Sequence, residues 1–177
     1  MKYEHDFYVT GAKVGKQAPR FDLRAIMPKA KESSLDQIQL DAFLDASKWV
    51  VLYFYPYNFT QDALDTIKQF DAIQSSFEAK NTVLIGVSKD SLHAHQAWQK
   101  QALGALNHFH ASDNNLKLSE AYGILDEEVG EVAKAVFFIA PNGVLQAAQV
   151  YHAQANMDVE HTLKTLTHLQ KTYRNND

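Results

Sequence analysis

Three short runs of consecutive apolar residues constrain this chain more than any other feature. They are Trp49-Val50-Val51-Leu52-Tyr53-Phe54-Tyr55, Thr82-Val83-Leu84-Ile85-Gly86-Val87 and Ala135-Val136-Phe137-Phe138-Ile139-Ala140. All three are rich in β-branched or aromatic side chains. Pro56 closes the first, and Pro141-Asn142-Gly143 ends the third with a turn. None approaches the roughly 18 residues that a membrane-spanning helix needs. Continuous rather than alternating, they suit strands buried on both faces, in a central sheet covered by helices. Val144 to Tyr151 follows the Asn-Gly turn and reads as the hairpin partner of the strand before it.

Helical patterns lie between these runs. Thr60 can cap a helix from Gln61 to about Ala79, with Leu64, Ile67, Phe70, Ile73 and Phe77 on one face. Ser91 begins a second helix, with Ala94, Ala97 and Trp98 in register. Lys117 to Tyr122 forms a short third, stopped by Gly123. The fourth runs from Asp158 to about Tyr173 on a stripe of Val159, Leu163, Leu166 and Leu169. Strands alternating with helices, plus one hairpin, predict a three-layer α/β sandwich with a mixed sheet. Val14 to Leu23 reads as an extended entry segment, and Asp36 to Leu44 as a short helix or irregular chain. The whole of residues 1–177 is expected to form one domain.

Composition narrows the function. Lys and Arg number 17 against 21 Asp and Glu, a formal charge of −4, and the basic residues are scattered singly. A nucleic-acid binder would carry a basic excess or stripe. The start, Met1 to Asp6, is polar and charged, unlike a secretory signal, so the expected location is cytoplasmic. The chain has no cysteine, which excludes disulfides, thiolate metal sites and cysteine catalysis.

The most informative stretch is Tyr53 to Ile67, YFYPYNFTQDALDTI. A buried strand ends at Pro56, a loop follows, and a helix starts near Thr60. Helix N-terminal amides stabilise anions, so such junctions suit active sites. Position 63 falls in the first helical turn, where a cysteine would be activated most. The residue there is Ala63.

Several segments, in order, resemble the peroxiredoxins of the alkyl hydroperoxide reductase/thiol-specific antioxidant group, most of all the typical two-cysteine class. VGKQAPRFDL resembles the family's VGxxAPxF opening, and WVVLYFYPYNFT its VVLFFYPLDFT. VLIGVSKDSLHAHQAW resembles VxGVSxDSxxxHxAW, the most specific of the matches. AYGILDEEVGEVAKAVFFIAPNG resembles YGVLxEExGxAxRGxFIIDxxG, and the helix from Val159 resembles the family's last helix. The resemblance covers roughly Val14 to Leu169 and implies a thioredoxin-like fold. It also implies thiol peroxidase ancestry: a cysteine in a Pro-x-x-x-Thr-x-x-Cys motif attacks a peroxide and becomes a sulfenic acid.

On that motif Pro56 and Thr60 match, and Ala63 stands where the cysteine belongs. The family's Cys-Pro-Thr-Glu is here Ala63-Leu64-Asp65-Thr66. Its arginine is Lys134, which keeps the charge but lacks the planar fork. A second arginine falls at Met157, and the resolving cysteine has no counterpart. The expected catalytic positions are therefore Ala63, Thr60, Pro56 and Lys134. Three readings follow. In the first, the chain is a naturally silent relative with a binding or regulatory role. In the second, an active thiol peroxidase carries a Cys→Ala substitution at position 63. In the third, a cysteine-free activity or small-anion site at the Thr60 helix terminus uses Lys134. The coordinated loss of several site residues favours the first.

Each of these residues also has a plain structural reading. Pro56 stops a strand, Thr60 caps a helix, and Lys134 is a solvated strand residue. Asp62 and Asp65 complement the helix dipole. No cofactor or metal is expected. His93 and His95 point apart on a helix, and His161 and His168 are surface residues two turns apart. His108 and His110 could share one face of an extended segment, but no acids clearly complete a ligand set. Ser91 and His95 lack a third member and a strained turn. The resemblance implies dimers formed by edge strands. Val144 to Tyr151 carries Ala147, Ala148 and Val150 and no charge or proline, so a homodimer through that edge is expected. Larger assemblies, and pairing with an active relative, stay open.

Overall fold

The computed structural model describes residues 11–28 and 35–173. The polar start at residues 1–6 lies outside them. The three apolar runs form strands β3 (Trp49–Phe54), β4 (Thr82–Ser88) and β8 (Lys134–Ile139). Around them lie β1 (Asp22–Ile26), β2 (Leu35–Gln39), β5 (Phe109–Ser112) and β9 (Leu145–Tyr151). A separate two-stranded hairpin pairs β6 (Leu125–Asp126) with β7 (Glu131–Val132). The main sheet has the order β2-β1-β5-β4-β3-β8-β9. Strands β3, β4 and β5 are parallel, and the remaining pairs are antiparallel.

Strand parity splits the core in two. Val50, Leu52 and Phe54 of β3 join Ala135, Phe137 and Ile139 of β8 in one cluster. This face is covered by Phe43 and Leu44 of α1 (Leu40–Asp45) and Leu118 of α5 (Lys117–Ala121). Trp49, Val51, Tyr53 and Tyr55 join Val136, Phe138 and Ala140 in the other. That face is covered by α2 (Gln61–Ala72), α3 (Gln74–Glu78) and α6 (Val159–Thr172), with Trp98 from α4 (Leu92–Trp98). Every residue of β3 and β8 is buried. The predicted three-layer sandwich with a mixed sheet is what the chain forms.

Four local expectations change. The helix from Gln61 breaks at Ile73, although its apolar stripe runs on through Phe77 of α3. The helix at Ser91 passes at Gln99 into one π-helical turn, Gln99–Leu103. Asp36 to Leu44 begins as strand β2 and becomes helix only at Leu40. Only Ile38 of β2 is buried, so this edge strand has almost no hydrophobic signal to read. The entry segment is not extended throughout: it turns at Val14-Gly15, bridges Val144 at Gln17, and pairs as β1 only from Asp22. The hairpin of β8 and β9 is as expected, with Ala148 opposite Phe137 and Gly143 turning at φ 81°.

Candidate functional site

Strand β3 ends at Phe54, and the Tyr55 N–H still donates to Val87 O. Pro56 lacks a donor, and the chain leaves the sheet there. The buried Asn58 holds the loop, its N–H donating to Asp90 Oδ2 at 2.8 Å. Phe59 takes the left-handed conformation, φ 62°, and lays its exposed ring on Trp98. The Thr60 hydroxyl then accepts the Ala63 N–H at 3.2 Å, capping α2. Pro56 and Thr60 thus sit as expected. Ala63 is 2% exposed, in the cluster with Ile67 and Phe70.

Lys134 departs from its expected solvated state. It opens β8, between β3 and β9, and is 7% exposed. A buried ammonium needs partners. Its Nζ pairs with Asp62 Oδ2 at 2.6 Å and donates to Ala155 O at 2.9 Å. Asp62 is therefore more than a complement to the helix dipole: it holds the buried Lys134 ammonium. Asp65 faces outward and accepts the Gln61 side chain at 2.8 Å. Beside the junction is a cleft of about 590 Å³ lined by Asp62, Asp65, Thr66, Met157, Asp158 and Glu160, among others. Four carboxylates make its wall acidic, and Met157, buried at 5%, forms part of the floor. A thiolate or other anion is disfavoured against such a wall.

A second polar cluster lies on the same sheet face, and sequence reasoning missed it. Tyr53 Oη is 2.6 Å from His108 Nε2, and His108 Nδ1 is 2.8 Å from Asp71 Oδ1 of α2. Tyr55 Oη is 2.5 Å from His110 Nε2 and donates to Asn58 Oδ1 at 2.7 Å. Asn58 Nδ2 in turn donates to His95 Nδ1 at 2.8 Å, and His95 Nε2 donates to Ala111 O at 2.9 Å. Gln99 Nε2 approaches His110 Nδ1 at 3.3 Å. His95 and His110 stack with ring centroids 3.8 Å apart. Burial pulls His95 down to about 4 and His110 well below the usual histidine range. Burial likewise raises Tyr53 and Tyr55 far above an ordinary phenol. For Asp71, burial acts upward but is outweighed by hydrogen bonds from His108 and Asn107, leaving its carboxyl below the usual range.

His108 and His110 do share a face, but no metal chelate results. Their ring nitrogens are engaged by Tyr53, Asp71, Tyr55 and Gln99. Among the described residues no group of three or more His, Asp or Glu side chains is placed to hold a metal ion. The available signal was parity: Tyr53 and Tyr55 on one strand, His108 and His110 beside another, each two apart and so on one side of a sheet.

Comparisons with known proteins agree with this architecture. The family model AhpC/TSA matches residues 14–148. YkuU of Bacillus subtilis (strain 168), which carries the peroxiredoxin name, is 38% identical over 162 residues, 89% of this chain and 88% of the relative. The chloroplastic 2-Cys peroxiredoxin BAS1 of Arabidopsis thaliana is 31% identical over 93% of this chain, which spans only 62% of that relative's length. The reduced 2-Cys peroxiredoxin of Plasmodium vivax superposes with a TM-score of 0.82 at 30% identity, covering 89% of this chain and 96% of that one. The sandwich is thus the thioredoxin-like fold of these structures, and this cysteine-free chain belongs to the AhpC/TSA family, the peroxiredoxins.

Proposed function

We propose that this chain is a catalytically silent peroxiredoxin with a binding or regulatory role. One observation carries the reading. Where an activated thiol would need a cation, Lys134 is already neutralised by Asp62 at 2.6 Å, beside a buried Ala63 methyl that cannot ionise. The ion pair supplies internally the negative charge that a thiolate would bring. Ala63, Thr60, Pro56 and Lys134 then serve as structural remnants of a site. Partner binding is assigned to the edge of β9 beyond Leu145, whose own backbone pairs with Gly15 and Lys16; there Val150 is 43% exposed and Ala148 is exposed. A homodimer, or pairing with an active relative, would extend the sheet there. Residues 1–177 acting as one cytoplasmic domain complete the proposal, and fractionation of the source cells checks the location.

The test is peroxide consumption by Ala63→Cys with a thiol reductant, beside the unmodified chain. A folded variant that stays near the background rate supports the reading. Rapid turnover supports the second reading, an active thiol peroxidase with Cys→Ala at position 63. The intact cap from Thr60 to Ala63 favours that alternative, and a cysteine codon at position 63 of the source gene would establish it.

A further inference from the structure

The geometry points to a buried one-electron redox site, in which Tyr53 is the electron donor, His108 its proton acceptor and Asp71 the group that positions His108. The direction of each hydrogen bond follows from its neighbours. Asp71 is a carboxylate and only accepts, so His108 carries its proton on Nδ1. In the neutral imidazole His108 Nε2 is then a bare lone pair, 2.6 Å from the Tyr53 hydroxyl. Tyr53 donates to a base.

Tyr55 has the opposite arrangement. Gln99 Nε2 donates to His110 Nδ1, so His110 is protonated on Nε2 and donates to Tyr55. The Tyr55 hydroxyl donates to the Asn58 amide oxygen, which is no base. Of two neighbouring phenols, ring centroids 6.3 Å apart, only Tyr53 has somewhere to put its proton.

Enclosure selects the chemistry. Tyr53 is 0% exposed and packs flat on Phe70 at 4.1 Å, so no substrate molecule reaches its oxygen. Electrons and protons can. An electron leaves along aromatic rings, from Tyr53 to Tyr55 and on to Trp98 at 6.3 Å, which lies under the exposed Phe59. The proton needs to travel no further than His108, which Asp71 holds; the Asp71 side chain is 17% exposed, beside a cleft of about 260 Å³ lined in part by Asn107 and His108. Burial holds Tyr53 protonated until it is oxidised, which couples the two transfers.

The step balances with an oxidant of the peroxyl-radical class. The radical takes one electron from Tyr53 and one proton from water, and leaves as a hydroperoxide. The Tyr53 proton moves to His108 Nε2, and Asp71 offsets the imidazolium charge. A thiol reverses the step: it loses a proton to water and an electron to the tyrosyl radical, becoming a thiyl radical, while His108 returns its proton. The site needs no cysteine in this chain and is independent of the reading of Ala63.

The test is photo-oxidation of the full chain by a ruthenium sensitiser, followed by freeze-quench electron paramagnetic resonance. We expect a long-lived tyrosyl signal that is lost in Tyr53→Phe and kept in Tyr55→Phe. His108→Leu should shorten its lifetime roughly tenfold or more, the scale of losing a hydrogen bond to a charged group. A signal unchanged in Tyr53→Phe, or an unchanged lifetime in folded His108→Leu, overturns the proposal. Should His108→Leu not fold, the unmodified chain in heavy water decides: slower radical formation supports the coupled proton transfer, and an unchanged rate refutes it.

Discussion

The junction at Ala63 and the histidine–tyrosine cluster share a sheet face and helix α2, yet they handle buried polarity differently. At the junction a full charge, Lys134, is neutralised by one carboxylate that reaches solvent. In the cluster Tyr55, His95, His110 and Asn58 form a network of neutral groups, each satisfied by another. An ion pair at the boundary is modest in net worth, because desolvation cancels much of its attraction. A closed neutral network is costly to disturb, since any added charge or missing partner stays buried. Robustness should therefore be lowest where no chemistry was anticipated.

Acid gives the sharpest separation of the two. Well above pH 6.5 His95 and His110 are neutral in both folded and unfolded chains, and their contribution is fully present. Between about 6.5 and 4 the unfolded chain takes up protons that the folded His95 refuses. Stability should fall through that window by on the order of 3 kcal/mol from His95 alone, and His110 acts in the same direction. Urea midpoints from pH 7.5 to 4.5 measure this, and an equal slope in His110→Asn would contradict the assignment. Next in size is Gly86→Ala. The register places Gly86 between Tyr53 and His110, and a Cβ there would collide with the Tyr53 hydroxyl. A loss of about 2–3 kcal/mol is expected, seen as a lower melting temperature together with altered tyrosine absorption.

The junction should respond less. Asp62→Asn strands the Lys134 ammonium and should cost about 1–2 kcal/mol, discounted because Asp62 is partly exposed. The double variant Asp62→Asn/Lys134→Met should recover part of that, and a double-mutant cycle with no coupling would show that the pair is not formed in solution. Smallest is Thr60→Ala, about 1 kcal/mol from loss of the cap. A chemical-denaturation loss beyond that range would give the junction more weight than its geometry supports.

Much of this architecture is legible in the sequence. The three apolar runs became β3, β4 and β8 because strands buried on both faces leave an unbroken apolar signal. The hairpin was announced by its Asn-Gly turn, and Thr60 was visible as a cap. Strand β2 was not legible, since an edge strand with one buried residue has no pattern to detect. The setting of Lys134 was misread because a charged residue opening a strand usually faces water. Burial from both sides of the sheet overrode that preference.

The sequence alone determined the layered α/β class, the strand-to-helix junction that carries Ala63 and the absence of any thiol. These are local or additive properties, carried by periodicity, turn chemistry and residue identity. Only the tertiary structure decided which polar groups meet. Tyr53 with His108 and Tyr55 with His110 are each fifty-five positions apart, and Lys134 finds Asp62 from across the sheet. Such meetings depend on strand order and register. Those are set by the packing of the whole core, and no linear pattern in the chain encodes them.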